Sequence, residues 1–134
     1  MTTAVDSSVL LDVLAADARF GKASREALRR AYDAGPLVAC EVVWAEVRGA
    51  FEDEARFEAA RAALGVGFLA TGPAAAALAG ATWRHYAGRR PRVRAGRMIA
   101  DFVVGAHARL QADALLARDR GFFGRFKGLE LVQP

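Results

Sequence analysis

Four carboxylates occupy positions where a side chain usually does more than face water. Asp6 ends the short apolar run TAV and precedes Ser7 and Ser8. Read structurally, it is a helix cap or an Asx turn. Either serine supplies a cap just as well, so capping alone does not require it. Open α/β sheets bind ligands at the carboxyl ends of their strands, which is where Asp6 falls. Glu46 lies within or beside the apolar stripe Val42, Val43, Val47, Ala50 and Phe51 of VVWAEVRGAF. Its neighbours three and four residues away are Val42, Val43, Gly49 and Ala50, so the helix offers it no ion pair. Burying such a group without a cation is costly; the ordinary alternative is an edge glutamate that reaches water. Asp101 borders the apolar face Met98, Ile99, Phe102, Val103, Ala106 and Leu110, with Arg97 one turn earlier as a simple partner. Asp119 follows ALLA as Asp6 follows TAV, or else is a turn residue ahead of Gly121.

Taken together, the four suggest a shared task. If the first and fourth strands are neighbours, Asp6 and Asp119 sit side by side where the strand order reverses. The helices carrying Glu46 and Asp101 could each aim a carboxylate at that spot. Negative groups gathered there repel one another, and a divalent cation removes the conflict. All-oxygen donors suit Mg²⁺ or Mn²⁺. One cysteine and two histidines make a structural zinc site a poor reading. Spacing alone does not establish that the four converge.

The elements that must position them can be read from apolar runs and periodicity. A short strand ends at Asp6, and Val9, Leu10, Val13 and Leu14 follow at helical spacing. A second helix is predicted over 17–34, with Ala23, Ala27, Leu28 and Ala31 on one side, stopped by Gly35-Pro36. LVAC is the second strand. Helices are predicted over 42–52 and 53–64, and VGFLA is the third strand. An alanine-rich helix runs from Pro73 to near Gly88, suited to close helix approach through Ala74–Ala81. GRRPRVRAGR then leads to a helix over 98–111, ALLA is the fourth strand and LELV the fifth. Short apolar strands alternating with helices predict a parallel sheet with helices on both faces, its strands buried on both sides.

Composition narrows the class. A chain of 134 residues fits one domain, 1–134, and its apolar content suffices for a core. No apolar run reaches the roughly 18–20 residues that span a bilayer. The first residues carry Asp6 and Asp12 inside their apolar stretch and no basic leader, so a cytoplasmic location is expected. Cys40, the single cysteine, sits in an apolar run and reads as a buried inert thiol. A net charge of +4 permits a nucleic-acid partner without establishing one. Arg84, Arg89, Arg90, Arg92, Arg94 and Arg97 cluster before the helix of Asp101; they are either a phosphate-binding loop or a solvated one. Trp44, Trp83 and Tyr86 have faces on which bases stack, but for Trp44 and Trp83 core or dimer packing is the better reading. There is no Walker motif and no GxGxxG after the first strand, which argues against a nucleotide-using α/β enzyme.

At the four acidic positions the chain resembles the PIN-domain family. AVDSSVLLDVL, VVWAEV, GRMIADFVVGAHA and ADALLARDRGFF match its four acidic motifs in the family's order, across nearly the whole chain. Length and layout resemble the VapC toxins of VapBC toxin–antitoxin pairs. The resemblance implies a three-layer α/β/α sandwich whose five-stranded sheet has the order 3-2-1-4-5. It also implies a homodimer, and a small antitoxin protein whose tail covers the acidic groove. Carried over, it makes Asp6, Glu46, Asp101 and Asp119 the catalytic and metal-binding residues, with Ser7 and Ser8 beside them. Ala117 departs from the pattern, because the family often has threonine or serine there.

The expected activity is endoribonucleolytic hydrolysis of RNA phosphodiesters with Mg²⁺ or Mn²⁺. Arg92 and Arg94 are the expected backbone-binding residues. His85 and His107 are expected at the surface or in packing, not as bases. Two alternatives are a catalytically weak PIN-like protein that holds RNA or an antitoxin, and a nuclease acting on DNA.

Overall fold

The computed structural model describes residues 1–89, 95–119 and 121–134, with backbone alone for 87–89 and 95–98. The described residues form five strands: β1 (Thr3–Val5), β2 (Leu37–Ala39), β3 (Val66–Phe68), β4 (Ala114–Leu116) and β5 (Leu131–Val132). Around them stand α1 (Ser7–Leu14), α2 (Gly21–Ala34), α3 (Glu41–Gly49), α4 (Glu54–Leu64), α5 (Pro73–Arg89) and α6 (Ala95–Gln111). A 3₁₀ turn over Phe123–Arg125 precedes β5. Every strand pairing is parallel, and the sheet order is β3-β2-β1-β4-β5.

That order follows from which strands can lose both faces to the core. Thr3–Val5 and Ala114–Leu116 are buried throughout, and they pair at the centre with Val5 opposite Leu116. The edges differ from the expectation of double burial. Gly67 and Phe68 of β3 are exposed, and Leu131 and Val132 of β5 are half-buried. Only a central strand has neighbours on both sides and helices over both faces. From β1 the chain steps to β2 and β3 in one direction; β4 and β5 lie in the other. Right-handed crossovers therefore send α1–α4 and α5–α6 to opposite faces. The crevice at the β1/β4 reversal is the usual ligand position of such a sheet.

Several boundaries move from their predicted places. The second helix begins at Gly21, not Asp17, because the Asp17 carboxylate accepts the Arg19 and Phe20 amides at 2.9 and 2.8 Å and holds a turn there. Its inner face is Ser24, Ala27 and Leu28, while Ala23 is exposed. The third helix stops at Gly49, and Asp53 caps α4 by accepting the Arg56 amide at 2.8 Å. The last helix starts at Ala95, three residues before Met98. Strands two and four each lose their final predicted residue, since Cys40 is the N-cap of α3 and Ala117 lies past β4.

The core below the site is aromatic on the α6 side. Phe102 is fully buried, with the Phe122 ring edge-on at 4.9 Å and Phe126 at 6.2 Å. Gly105 lets α6 meet this cluster, because a Cβ there would collide with the Phe126 ring. Ala75 and Ala79 are buried where α5 lies along α6, as small residues in close helix packing should be. Among the described residues, no helix is long and apolar enough to cross a membrane.

Candidate active site

The site begins where β1 stops. The Asp6 amide still pairs with the Leu116 carbonyl at 2.9 Å, so the chain leaves the sheet level with the end of β4. Asp6 then caps α1: its Oδ2 accepts the Ser8 amide at 3.2 Å and the Ser8 hydroxyl at 2.6 Å. Of the candidate caps in the sequence, it is Asp6 and not Ser7 or Ser8 that takes the cap position. An aspartate with extended backbone at the cap position satisfies two donors at once, and the serine side chain becomes one of them. Asp6 is buried at 8% exposure.

The same two serines reach the other elements. Ser7 Oγ donates to Glu46 Oε2 at 2.5 Å, joining α1 to α3. Glu46 is exposed on α3, beside the buried Val43 and Val47, so it is met by a hydroxyl at the rim and not buried in the stripe. Ser8 Oγ, while donating to Asp6, accepts the Arg118 amide at 3.2 Å. That contact ties the Asp6 carboxylate to the residue before Asp119.

Asp119 is half-buried and does turn chemistry. Its Oδ1 accepts the Phe122 amide at 2.9 Å and the Phe123 amide at 3.2 Å. Phe122 in turn packs on Phe102, the residue after Asp101. The aromatic contact therefore sets the Asp119 turn against the stretch of α6 that carries Asp101. Asp101 itself is exposed and engaged by a neighbour.

Asp6, Glu46 and Ser7 are thus joined directly or through adjacent backbone, and Asp119 connects to Asp6 through Ser8 and the Arg118 amide. Among the described residues, no three His, Cys, Asp or Glu side chains stand close enough to hold a metal ion in this conformation. The donor chemistry nonetheless fits a hard divalent cation. All donors are oxygens, and Asp6 Oδ1 and Glu46 Oε1 have no hydrogen-bond partner among the described residues. No salt bridge from a described Lys or Arg reaches Asp6, Glu46 or Asp119. Ala117 is fully buried and has no hydroxyl, so Ser7 and Ser8 are the hydroxyls at hand. Arg92 and Arg94 lie outside the described residues, as does the Arg97 side chain.

The histidines stay away from this chemistry. His85 is exposed on α5. His107 is 1% exposed; burial pushes its pKa down, and a hydrogen bond to the Leu69 backbone offsets part of the shift. Cys40 is buried, and burial raises its thiol pKa, which leaves it inert. Trp44 is core, edge-on to Phe57, and Trp83 and Tyr86 are half-buried, Tyr86 beneath Arg125.

One constellation was missed from sequence. Asp12, at 4% exposure, receives Arg118 Nε at 2.7 Å, Arg118 Nη2 at 3.0 Å and the Ser24 hydroxyl at 2.7 Å. Its one sequence signal was a carboxylate in the apolar run VLLDVL, which needs a cation somewhere in the fold.

Comparison with known proteins agrees with this fold. The sequence model of the PIN domain matches residues 3–129. VapBC2 from Rickettsia felis, solved bound to a DNA fragment from their promoter, superposes with a TM-score of 0.74 at 11% identity, over 99% of this chain and 98% of that one. VapBC-1 from nontypeable Haemophilus influenzae gives 0.68 at 18%, over 99% and 98%. Mycobacterium tuberculosis VapC20, a Sarcin-Ricin loop cleaving toxin, gives 0.58 at 17%, over 91% and 92%. These likenesses establish a shared fold. No curated protein sequence matches the chain.

Proposed function

Because the chain belongs to the PIN domain family, we propose that it is a divalent-metal-dependent endoribonuclease and the toxin of a toxin–antitoxin pair. The observation that carries this reading is the carboxyl end of β1 and β4. Ser7 links α1 to Glu46 there, and Ser8 links Asp6 to the Arg118 amide beside Asp119, with no described cation bridging the carboxylates. The structural neighbours that are VapBC complexes support an antitoxin partner, and the neighbour that cleaves the Sarcin-Ricin loop supports RNA as substrate. A single domain acting as a cytoplasmic homodimer belongs to the same proposal.

Asp6, Glu46, Asp101 and Asp119 would hold Mg²⁺ or Mn²⁺. When bound, the ion would acidify a water and offset charge on the phosphoryl oxygens. The chain's own residues do the rest. Ser7 fixes the Glu46 carboxylate, Ser8 fixes Asp6, and the Phe122 and Phe123 amides fix Asp119. Holding the carboxylates in place before substrate arrives lowers the cost of ordering them during reaction. No histidine is needed as base, and His107 is turned toward Leu69 in the interior. An acidic site repels RNA, so phosphate binding falls to the arginines flanking α6, with Arg92 and Arg94 foremost. Charge reversal at both is expected to weaken RNA binding and flatten its salt dependence, measured by titration across ionic strengths.

Cleavage of a structured RNA pool, with EDTA and then Mn²⁺ added back, tests the proposal. Metal-restored cleavage by wild type, lost in folded Asp101→Asn, is the expected result. No cleavage under any metal, once a co-purified antitoxin is excluded, would favour a binding-only protein. Faster cleavage of matched DNA would change the substrate.

A further inference from the structure

Arg118 stands beside the acidic site yet spends its guanidinium elsewhere. Two of its nitrogens grip both oxygens of buried Asp12, and Ser24 of α2 completes that carboxylate. Its guanidinium also lies over the Phe20 ring at 4.1 Å, and Phe20 is itself held by the Asp17 turn. Hydrogen bonding to Asp12 holds the Arg118 charge on, raising its pKa further. Meanwhile its backbone amide donates to Ser8 Oγ, the hydroxyl bound to Asp6, and the next residue is Asp119. One residue is therefore anchored through its side chain in the α1–α2 layer and through its backbone between two members of the acidic site.

We propose that Arg118, gripped by Asp12 and Ser24, is a positioning residue that sets Asp119 against Asp6. The proposal rests on the nuclease reading for its catalytic consequence and on the fold alone for its geometry. A bidentate arginine–carboxylate pair fixes direction as well as distance. The Ala117 amide on the Val132 carbonyl and the Asp119 amide on Gln133 Oε1 hold this stretch on the β5 side, and the Arg118 fork holds it on the α1 side. Positioning partners behind metal-binding carboxylates typically matter 10–100-fold. The Arg118 charge is matched by Asp12, so Arg118 is not available to neutralise substrate phosphate. A cleft of about 320 Å³ does open between Arg19, Phe20, Arg118, Asp119 and Gln133, which makes direct substrate contact the rival role.

The test uses the full chain. Asp12→Asn alone strands the Arg118 charge, so the informative variant is Asp12→Asn with Arg118→Met. Methionine keeps a stem against Phe20 and leaves no lone buried charge. The readouts are amide exchange at Phe122 and Phe123, Mn²⁺ affinity by calorimetry, and kcat and KM on RNA. Positioning predicts faster exchange at both amides, Mn²⁺ affinity and kcat each lower by about tenfold, and KM within about twofold. Arg118→Lys, keeping charge without the fork, should fall between wild type and the double variant. Unchanged exchange and unchanged Mn²⁺ affinity in a folded double variant would overturn the proposal. A rise in KM alone would also overturn it and make Arg118 a substrate contact. Failure of the wild type to cut RNA would fall on the nuclease reading, while the exchange data would still decide the clamp.

Discussion

Asp6 and Asp12 stand six residues apart at the two ends of α1, and they illustrate two fates of a buried carboxylate. Asp12 is compensated within the chain: an arginine fork on both oxygens and a serine on one. Among the described residues, Asp6 accepts hydrogen bonds from an amide and a hydroxyl, and Glu46 from a hydroxyl. Asp12 therefore contributes to a fixed structure, whereas Asp6 and Glu46 retain capacity for a cation. Burial and charge are similar; what differs is whether a described side chain forms an ion pair with the carboxylate.

The comparison breaks most visibly in activity. Asp6→Asn keeps a good helix cap and removes the charge, so RNA cleavage should fall on the order of 100-fold or more with little change in melting temperature. An equal loss of stability would mean that Asp6 is structural in the way Asp12 is. Asp12→Asn should act on stability first. It should cost about 2 kcal/mol in urea denaturation, less than a fully buried pair because the Arg118 side chain keeps 30% exposure. Adding Arg118→Met should return part of that loss; greater instability in the double variant would show that the ion pair is not the reason for the cost.

Smaller effects sharpen the picture. Asp6→Ala, unlike Asp6→Asn, should lose about 1 kcal/mol of stability, since alanine cannot accept the Ser8 amide. His107, whose pKa responds to burial, the Leu69 backbone and the Glu41 carboxylate, serves as a control. Its folded pKa lies below its unfolded value, so the unfolded chain binds more protons between the two. Stability is then full above the ordinary histidine range, near 6.5, and falls as pH drops toward the depressed folded value. Thermal melts from pH 7.5 to 5.5 should show this decline, and His107→Gln should flatten it.

Much of the fold was legible because central strands lose both faces. TAV and ALL read as apolar runs, and alternation with helices predicts a parallel sheet. Strand order needed more than periodicity and came through the family resemblance. Element ends were less legible, since Asp6 and Asp17 end or delay elements through local side-chain bonds that apolar spacing does not register. At the site, Asp6 and Asp119 were visible as polar residues just past apolar strands. The Asp12–Arg118 pair was not, because its partners lie 106 residues apart and no periodicity links them.

The most direct measurement is calorimetric titration of the purified chain with Mn²⁺, comparing wild type with Glu46→Gln. Glu46 is exposed and makes its one described hydrogen bond to Ser7, so its loss should leave the fold intact. Saturable Mn²⁺ binding by wild type, abolished or weakened at least tenfold in Glu46→Gln, is the result this account predicts. Binding of equal affinity in both proteins, or none in wild type, would contradict it.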